Sequence, residues 1–419
     1  MDILVIGSGG REHALIKKLK ESKRAGVIYC APGNGGISAD AQCVDIRATD
    51  IAGVVEFARE RHIGLVVVTP DDPLSIGMVD ALEAAGIKAF GPHKNAAAIE
   101  SSKVFAKNLM KKYGIPTALY EVFDSPAAAL EYIKAQNTYP TVIKADGLAL
   151  GKGVVIAQNY IEAKTAIHSI MEDKIFGVSG SLVIIEEFLA GPEVSVLAFT
   201  DGKTLVPMVS SKDHKRIFDG DRGPNTGGMG TISPNPFYTE GIALDCMRTI
   251  FIPTMDAMNK EGRPFCGCLF FGLMLTNGGP KVIEYNARFG DPETQVVMLR
   301  LRTDLTDILE AVADGRLADV TIEWDDGAAA CVVAASGGYP GSYEKGREIT
   351  GIDKAESLPD VTVYHAGTSC KGGRYYTSGG RVIGVTSRGC NIDEALDKAY
   401  EGVSKIHFDG MQYRKDIGR

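Results

Sequence analysis

The 419-residue sequence predicts an α/β and α+β multidomain protein, and three observations carry that reading. Strand and helix patterns alternate through residues 1–100, as in a parallel sheet covered by helices. A second alternating stretch ends in a long apolar hairpin. From about Ala328 the pattern shifts to short strands separated by glycine-rich turns. The chain is also too long for one ordinary core, since domains run to roughly 100–200 residues.

In chain order, DILVIG, GVIYCAPG, LVVVTP and IKAFGP read as strands, with REHALIKKLKES, IAGVVEFARERH and the segment through DALEAAG as helices. Ligands of such sheets bind at the carboxyl ends of strands. The loop Gly7-Ser8-Gly9-Gly10-Arg11-Glu12-His13 follows the first strand and opens a helix, where free N–H groups and the macrodipole favour an anion, and Arg11 can add a bidentate clamp. Tested as a dinucleotide fingerprint, the loop fails at its third glycine, which is Glu12, and VIYCAPGN offers no acid for a ribose. A single phosphate group fits better.

Ser101 onward reads as a helix up to Gly114, and Pro116 breaks it. Ser125-Pro126 opens a helix through Gln136. PTVIKAD, GVVIAQN and SLVIIEEF are strands, with a glycine loop GLALGKG after the first and a helix to about Phe176 before the third. Beyond the glycine-rich stretch Arg222 to Gly230, a helix runs to about Asn259, and Phe265 to Ala287 forms a hairpin turning at Asn277-Gly278-Gly279. AAACVVAAS, VTVYHAGT and RVIGVTSR are the later strands. Asn391 with Glu394 resembles a capping box, ahead of an apolar stripe of Ile392, Ala395, Leu396, Ala399, Tyr400, Val403 and Ile406 that reads as core.

Lys plus Arg total 45 against 53 Asp plus Glu, a formal charge of -8. That balance argues against a sequence-independent nucleic-acid binder, so any anion site is local. No secretory signal follows Met1 and no apolar run approaches the roughly 20 residues of a membrane span, so a cytoplasmic protein without a membrane partner is expected. Eight cysteines carry no CxxC pair, which fits reduced thiols, and Cys266 and Cys268 on an apolar strand read as core.

The segment KVIEYNARFGDPETQ, residues 281–295, carries the strongest chemical signal. Alternation along a strand sends Val282, Glu284 and Asn286 one way, so Glu284 and Asn286 can share one ion. Magnesium takes one or two hard protein ligands plus phosphates. A solvated pair on a sheet edge is the plain alternative for these two alone, and Arg288, Asp291 and Glu293 just beyond turn the balance toward a site. Lys144 ends a strand before Asp146-Gly147-Leu148-Ala149-Leu150-Gly151-Lys152-Gly153, where ammonium and backbone N–H groups suit nucleotide phosphates, although a tight hairpin with solvated lysines would look the same. It is no Walker A loop, because Gly153 stands where Ser or Thr is required. Glu186, Glu187, Phe188 and Glu193 lie where a strand end can meet an adenine and a ribose, although exposed acids at a strand end are the commoner reading of such residues alone. Between Ser210 and Gly230, Asp213, His214, Lys215 and Arg216 mix with Asn225, Thr226, Gly227 and Gly228. Polar glycine-rich loops of this kind are usually functional, and they suit an anionic substrate and the shielding of a reactive intermediate.

Six motifs in order, GSGGREHAL, IKADGLALGKGV, VIIEEFLAGPEVS, SKDHKR, GPNTGGMG and VIEYNARFGDPETQ, resemble the phosphoribosylamine-glycine ligase (glycinamide ribonucleotide synthetase) family of purine biosynthesis, from Asp2 through YRKDIG. The resemblance implies a Rossmann-like N-terminal domain over 1–100, an ATP-grasp domain over 101–327 with a lid at about 122–190, and a small C-terminal α+β domain over 328–419. It implies ATP, with Mg2+ or Mn2+, and a monomer acting on glycine and 5-phosphoribosylamine. Lys103, Lys144 and the loop Gly147 to Gly153 would hold phosphates, Glu186, Glu187, Phe188 and Glu193 the adenosine, and Glu284 with Asn286 the metal. Arg288 would clamp a phosphate or carboxylate, and Asp213 and Lys215 would position the amine. Gly10 and Arg11 would receive the ribose 5-phosphate, and Asn225, Thr226, Gly227, Gly228, Asp291, Pro292 and Glu293 would line the substrates. The implied reaction passes through glycyl phosphate to glycinamide ribonucleotide, ADP and phosphate.

Two departures stand out. Leu273, Met274 and Leu275 occupy the hairpin strand that supplies a further metal-binding acid in many ATP-grasp relatives, and TPDDPL replaces a Gly-Pro-Glu form, which puts Asp71 and Asp72 in question. The rival readings are another ATP-grasp ligase or carboxylase, a nicotinamide-dependent dehydrogenase, and a non-catalytic nucleotide sensor.

Overall fold

The computed structural model describes residues 1–148 and 153–419. Its N-terminal sheet is wholly parallel, in the spatial order Gln42–Cys43, Ile28–Pro32, Ile3–Gly7, Leu65–Val68, Ala89–Phe90. Every residue of the central ILVIG strand is buried, which is why it reads as an unbroken apolar run rather than an alternation. The strand order reverses at Ile3–Gly7, so the loop Ser8-Gly9 opens at the switch point where such sheets bind ligands.

Two antiparallel sheets follow. One has the order Tyr120–Phe123, Val183–Glu187, Thr141–Ala145, Val154–Ala157, and the helices Pro126–Gln136 and Tyr160–Ile167 share its apolar core. The other runs Leu205–Pro207, Glu193–Asp201, Cys266–Thr276, Gly279–Asn286. The C-terminal sheet runs Lys212–Asp213, Gly230–Ser233, Ala328–Ser336, Arg381–Gly389, Val361–His365. Its first two strands come from the polar loop region, because the otherwise open edge of Ala328–Ser336 needs a hydrogen-bonding partner.

Local structure departs from the sequence pattern at four places. The helix read from Ser101 is two helices, Lys94–Ser101 and Lys103–Tyr113. They are parted at an extended Ser102 whose Oγ accepts from the Phe105 N–H at 3.1 Å. A serine able to cap its own successor competes with helix continuation, and the break puts Lys103 at a helix start. The helix read to about Phe176 leaves the α form after Ile167. Asn391 caps the helix Ile392–Lys405 by accepting from the Glu394 N–H at 2.9 Å, but the Glu394 carboxylate reaches the Cys390 N–H at 2.8 Å.

The fourth departure corrects the facing of the strand Gly279–Asn286. Gly272 pairs with Glu284 while Leu273 pairs with Val282, so Ile283 is the extra residue of a bulge. Val282 and Tyr285 are both buried, whereas Glu284 and Asn286 are half-buried. Val282 therefore does not share a face with Glu284, since one inserted residue flips the faces of everything beyond it. Among the described residues no helix is long and apolar enough to cross a membrane.

Candidate active site

The bulge directs Glu284 toward a cluster of cations. Lys215 Nζ lies 3.4 Å from Glu284 Oε1 and 3.2 Å from Glu193 Oε2. Lys215, and after it Lys144 and Lys103, hold the Glu284 carboxyl down at about 2. Glu193, ahead of Glu284 and Asp213, raises the Lys215 ammonium well above its ordinary range. Asn286 Oδ1 accepts from Arg288 Nη2 at 3.2 Å. Arg288 pairs with Glu100 at 3.1 Å, and Glu100 Oε2 accepts the Ala287 N–H at 2.7 Å. Burial disfavours the Arg288 charge, but Glu100 and Asp71 outweigh it and raise its pKa. Asp71 thus bears on the site through Arg288.

An always-ionised carboxylate and an amide oxygen two residues on suit magnesium, which keeps waters and phosphates for its remaining positions. Among the described residues no group of three or more His, Cys, Asp or Glu side chains could hold a metal. The partner strand offers Gly272, where a Cβ would lie 3.0 Å from Glu284 Cγ, and then the buried Leu273. The further acid that the sequence lacks on the hairpin's first strand is lacking there in the structure too.

Next to this pair, both oxygens of Glu186 meet lysines. Lys144 Nζ is 3.0 Å from Oε1 and Lys107 Nζ 2.9 Å from Oε2. Lys144 also donates to the Ile283 carbonyl at 3.1 Å, at the bulge itself. Lys107 donates to Thr117 Oγ1 at 2.8 Å, and burial brings its pKa down to about 8. Lys103, whose pKa burial also lowers, donates to the Gly147 carbonyl at 2.7 Å. Gly147 sits at φ +86, where a side chain would be strained. The Gly153 carbonyl accepts from the Ala145 N–H at 2.9 Å, while Gly151 and Lys152 lie outside the described residues. Glu187 is engaged by the Leu119 N–H at 3.0 Å and by Lys281 at 2.9 Å, and Phe188 is exposed.

A second pocket of polar groups forms where three loops converge. Gly228 has φ +113, and a Cβ there would lie 2.7 Å from Asp213 Oδ1 and against Pro292. Burial, then Glu293, raises the Asp213 carboxyl well above its usual range, and burial raises Glu293 as well. Ser195 Oγ donates to Glu293 at 3.3 Å. Asp291 behaves oppositely: burial would raise it, but Arg381 and Arg11 outweigh that and hold it low. Gln295 Nε2 donates to Asp291 Oδ1 at 2.7 Å, and a Cβ on Gly10 would come within 2.7 Å of that same amide nitrogen. Arg11 Nη1 donates to the Phe289 carbonyl at 3.0 Å, and Thr226 Oγ1 to the Lys215 carbonyl at 2.8 Å. Asn225 lies at a strand end, paired with Arg216.

Glu12, a mere mismatch in the glycine fingerprint, fills the inside of the first loop. Its carboxylate accepts from the Gly9 N–H at 2.6 Å, Arg11 Nε at 2.6 Å and Thr69 Oγ1 at 2.7 Å. An internal carboxylate thereby occupies donors that a pyrophosphate would need, which is the physical ground for setting the dinucleotide reading aside. Sequence reasoning did not single out Lys107, Glu100, Gln295 and Arg381. Lys107 lies four residues after Lys103, a same-face spacing that could have flagged it, and Gln295 closes the GDPETQ motif. Glu100 and Arg381 carry no local signal.

Comparison with known proteins accords with this geometry. Models of the phosphoribosylglycinamide synthetase N domain, ATP-grasp (A) domain and C domain match residues 1–100, 101–294 and 329–419. The chain is 49% identical over 417 residues to a phosphoribosylamine-glycine ligase of Caldanaerobacter subterraneus, covering 100% of this chain and 99% of that one. It is 50% identical over 419 residues to one of Clostridium acetobutylicum, covering 100% of both. A crystal structure of a phosphoribosylamine-glycine ligase from Thermotoga maritima superposes with a TM-score of 0.86 at 36% identity, covering 100% of both chains. The biotin carboxylase domain of a Hydrogenobacter thermophilus 2-oxoglutarate carboxylase, solved with MgADP and bicarbonate, shares the fold at a TM-score of 0.75 and 16% identity, over 98% of this chain and 91% of that one. Matched by the family's three domain models over residues 1–294 and 329–419, the chain belongs to the phosphoribosylglycinamide synthetase family.

Proposed function

We propose that the protein joins glycine to 5-phosphoribosylamine at the expense of ATP, by way of glycyl phosphate, releasing glycinamide ribonucleotide, ADP and phosphate. The observation that carries this reading is Lys215. It reaches the Glu284 carboxylate on one side, and on the other its own backbone carbonyl holds Thr226 of the glycine-rich loop. A nucleotide-metal site and an acceptor site thus share one residue.

Lys103, Lys144 and the loop around Gly147 and Gly153 face the phosphates, with Gly151 and Lys152 assigned from the motif. Glu186, Glu187, Phe188 and Glu193 border the adenosine. Magnesium bound by Glu284 and Asn286 would neutralise charge on the transferring phosphoryl group. Arg288, held by Glu100, faces the acyl phosphate oxygens and supplies fixed positive charge where negative charge develops. Lys215 takes up the carboxylate side of the same centre. Asp213, kept from ready ionisation by burial, and Glu293 align the amine that attacks the acyl carbon. Gly10 and Arg11 receive the 5-phosphate, and Asn225 through Gly228 with Asp291 and Pro292 close over the intermediate and exclude water. The antiparallel sheet at about 122–190 is the lid of an ATP-grasp domain spanning 101–327, between domains at 1–100 and 328–419. The enzyme works as a cytoplasmic monomer with magnesium, and manganese replaces it.

The test is ADP formation with magnesium, glycine and freshly made phosphoribosylamine, omitting each in turn and weighing the product. Turnover should require all three, and Glu284→Ala should lose at least about a hundredfold, the scale of removing one charge-stabilising group. ADP formation that persists without glycine but needs bicarbonate would assign a carboxylase instead.

A further inference from the structure

Arg381 opens a strand of the C-terminal sheet, far in sequence from every motif that suggests the reaction. Its guanidinium nevertheless sits among the acceptor loops. Nη1 donates to the Gly227 carbonyl at 2.6 Å and to the Asp291 carbonyl at 2.7 Å, and Nη2 pairs with Asp291 Oδ2 at 3.2 Å. The Gly227 N–H donates to Tyr339 Oη at 3.0 Å. Both backbone polar groups of Gly227 are thus held by residues that follow Ala328. A Cβ on Gly227 would lie 2.9 Å from Arg381 Cζ, so the absence of a side chain there is what lets the guanidinium in.

We propose that Arg381 is a positioning residue for the amine substrate: its planar fork fixes the Gly227-Gly228 loop against Asp291, setting the distance between Asp213 and the start of the helix Glu293–Arg300 that carries Gly10's neighbour Gln295. This rests on the ligase reading above. The fork geometry matters, since a guanidinium reaches two carbonyls and a carboxylate in one plane and an ammonium does not. Among the described residues Arg381 is neither hydrogen-bonded nor paired to Lys103, Lys107, Lys144 or Glu284, so the largest effect falls on the amine substrate.

The experiment is steady-state kinetics of Arg381→Lys and Gly227→Ala, each substrate varied in turn, with thermal midpoints alongside. Loss of charge-assisted hydrogen bonds is expected to raise KM for phosphoribosylamine about tenfold or more, with KM for ATP and glycine within about twofold. Gly227→Ala reaches the same contact from the other side, so the double variant should be less than additive. An unchanged KM for phosphoribosylamine in both variants, or equal rises for all three substrates tracking a lower midpoint, would overturn the proposal. Wild-type turnover without phosphoribosylamine would instead remove the ligase reading itself.

Discussion

At Glu186 two lysines share one carboxylate, and all three side chains are nearly sealed from solvent, with Lys107 3%, Lys144 4% and Glu186 4% exposed. Two cations against one anion leave a positive excess that an incoming nucleotide would compensate, since buried charge is costly unless balanced. Lys107 has a pKa of about 8 against an ordinary 10.5, chiefly from burial. The folded state therefore holds fewer protons than the unfolded state between those values, and stability rises with pH through that window. The cluster of Lys144, Glu186 and Lys107 loses positive charge as Lys107 deprotonates near pH 8. We expect KM for ATP to climb above pH 8 while the thermal midpoint gains, and Lys107→Arg to flatten the KM profile. A wild-type ATP profile without an inflection near pH 8 would refute this role. The residues of this cluster were half legible: Lys144 and Glu186 stand at strand ends beside motifs, whereas Lys107 is one lysine among several on an amphipathic helix until the fold buries it.

At the scale of elements, the loop Thr226 to Gly230 and the hairpin ending at Asn286 decide the site. Gly228 combines a left-handed backbone with close approach to Asp213 and Pro292. Gly228→Ala adds strain of about 1–3 kcal/mol and displaces the Asp213 carboxylate. Turnover is expected to fall by roughly tenfold to a hundredfold, with the folded protein retained by circular dichroism; full activity would show that the loop is not held as described. The glycines of GPNTGGMG were readable as a polar glycine-rich loop from composition alone. The bulge at Ile283 was not, because a bulge is a property of two paired strands. It still matters chemically, because it frees the Ile283 carbonyl for Lys144 and turns Glu284 away from the core that Val282 enters.

Across the whole molecule, the C-terminal domain is fastened to the loop Ser8-Gly9 through Asn34. Asn34 Nδ2 donates to the Ser8 carbonyl and to the His365 carbonyl, each at 2.9 Å, while its Oδ1 accepts the Gly36 and Ile37 N–H groups. The His365 N–H donates to His13 Nδ1 at 2.8 Å, which leaves His13 Nε2 to meet Asp40 at 2.9 Å. Asn34→Ala removes several of these bonds and should cost on the order of 1–3 kcal/mol, seen as a thermal midpoint lower by a few degrees. An unaltered midpoint would mean that Asn34 does not fasten the C-terminal domain to the loop.

The sequence by itself determined most of the elements and the residue types that each loop carries. Alternating strand and helix patterns mark the parallel sheet, glycines mark the polar loops, and KVIEYNARFGDPETQ marks the strand that carries Glu284 and Asn286. Such signals are local, since a side chain's face follows from its own strand or helix. Only the tertiary structure decided which faces meet: that Lys212–Asp213 and Gly230–Ser233 join the C-terminal sheet, that Glu100 braces Arg288, and that Arg381 reaches Asp291. These contacts form when separate sheets dock and bury charge together, and no periodicity within a single segment records the segment it will meet.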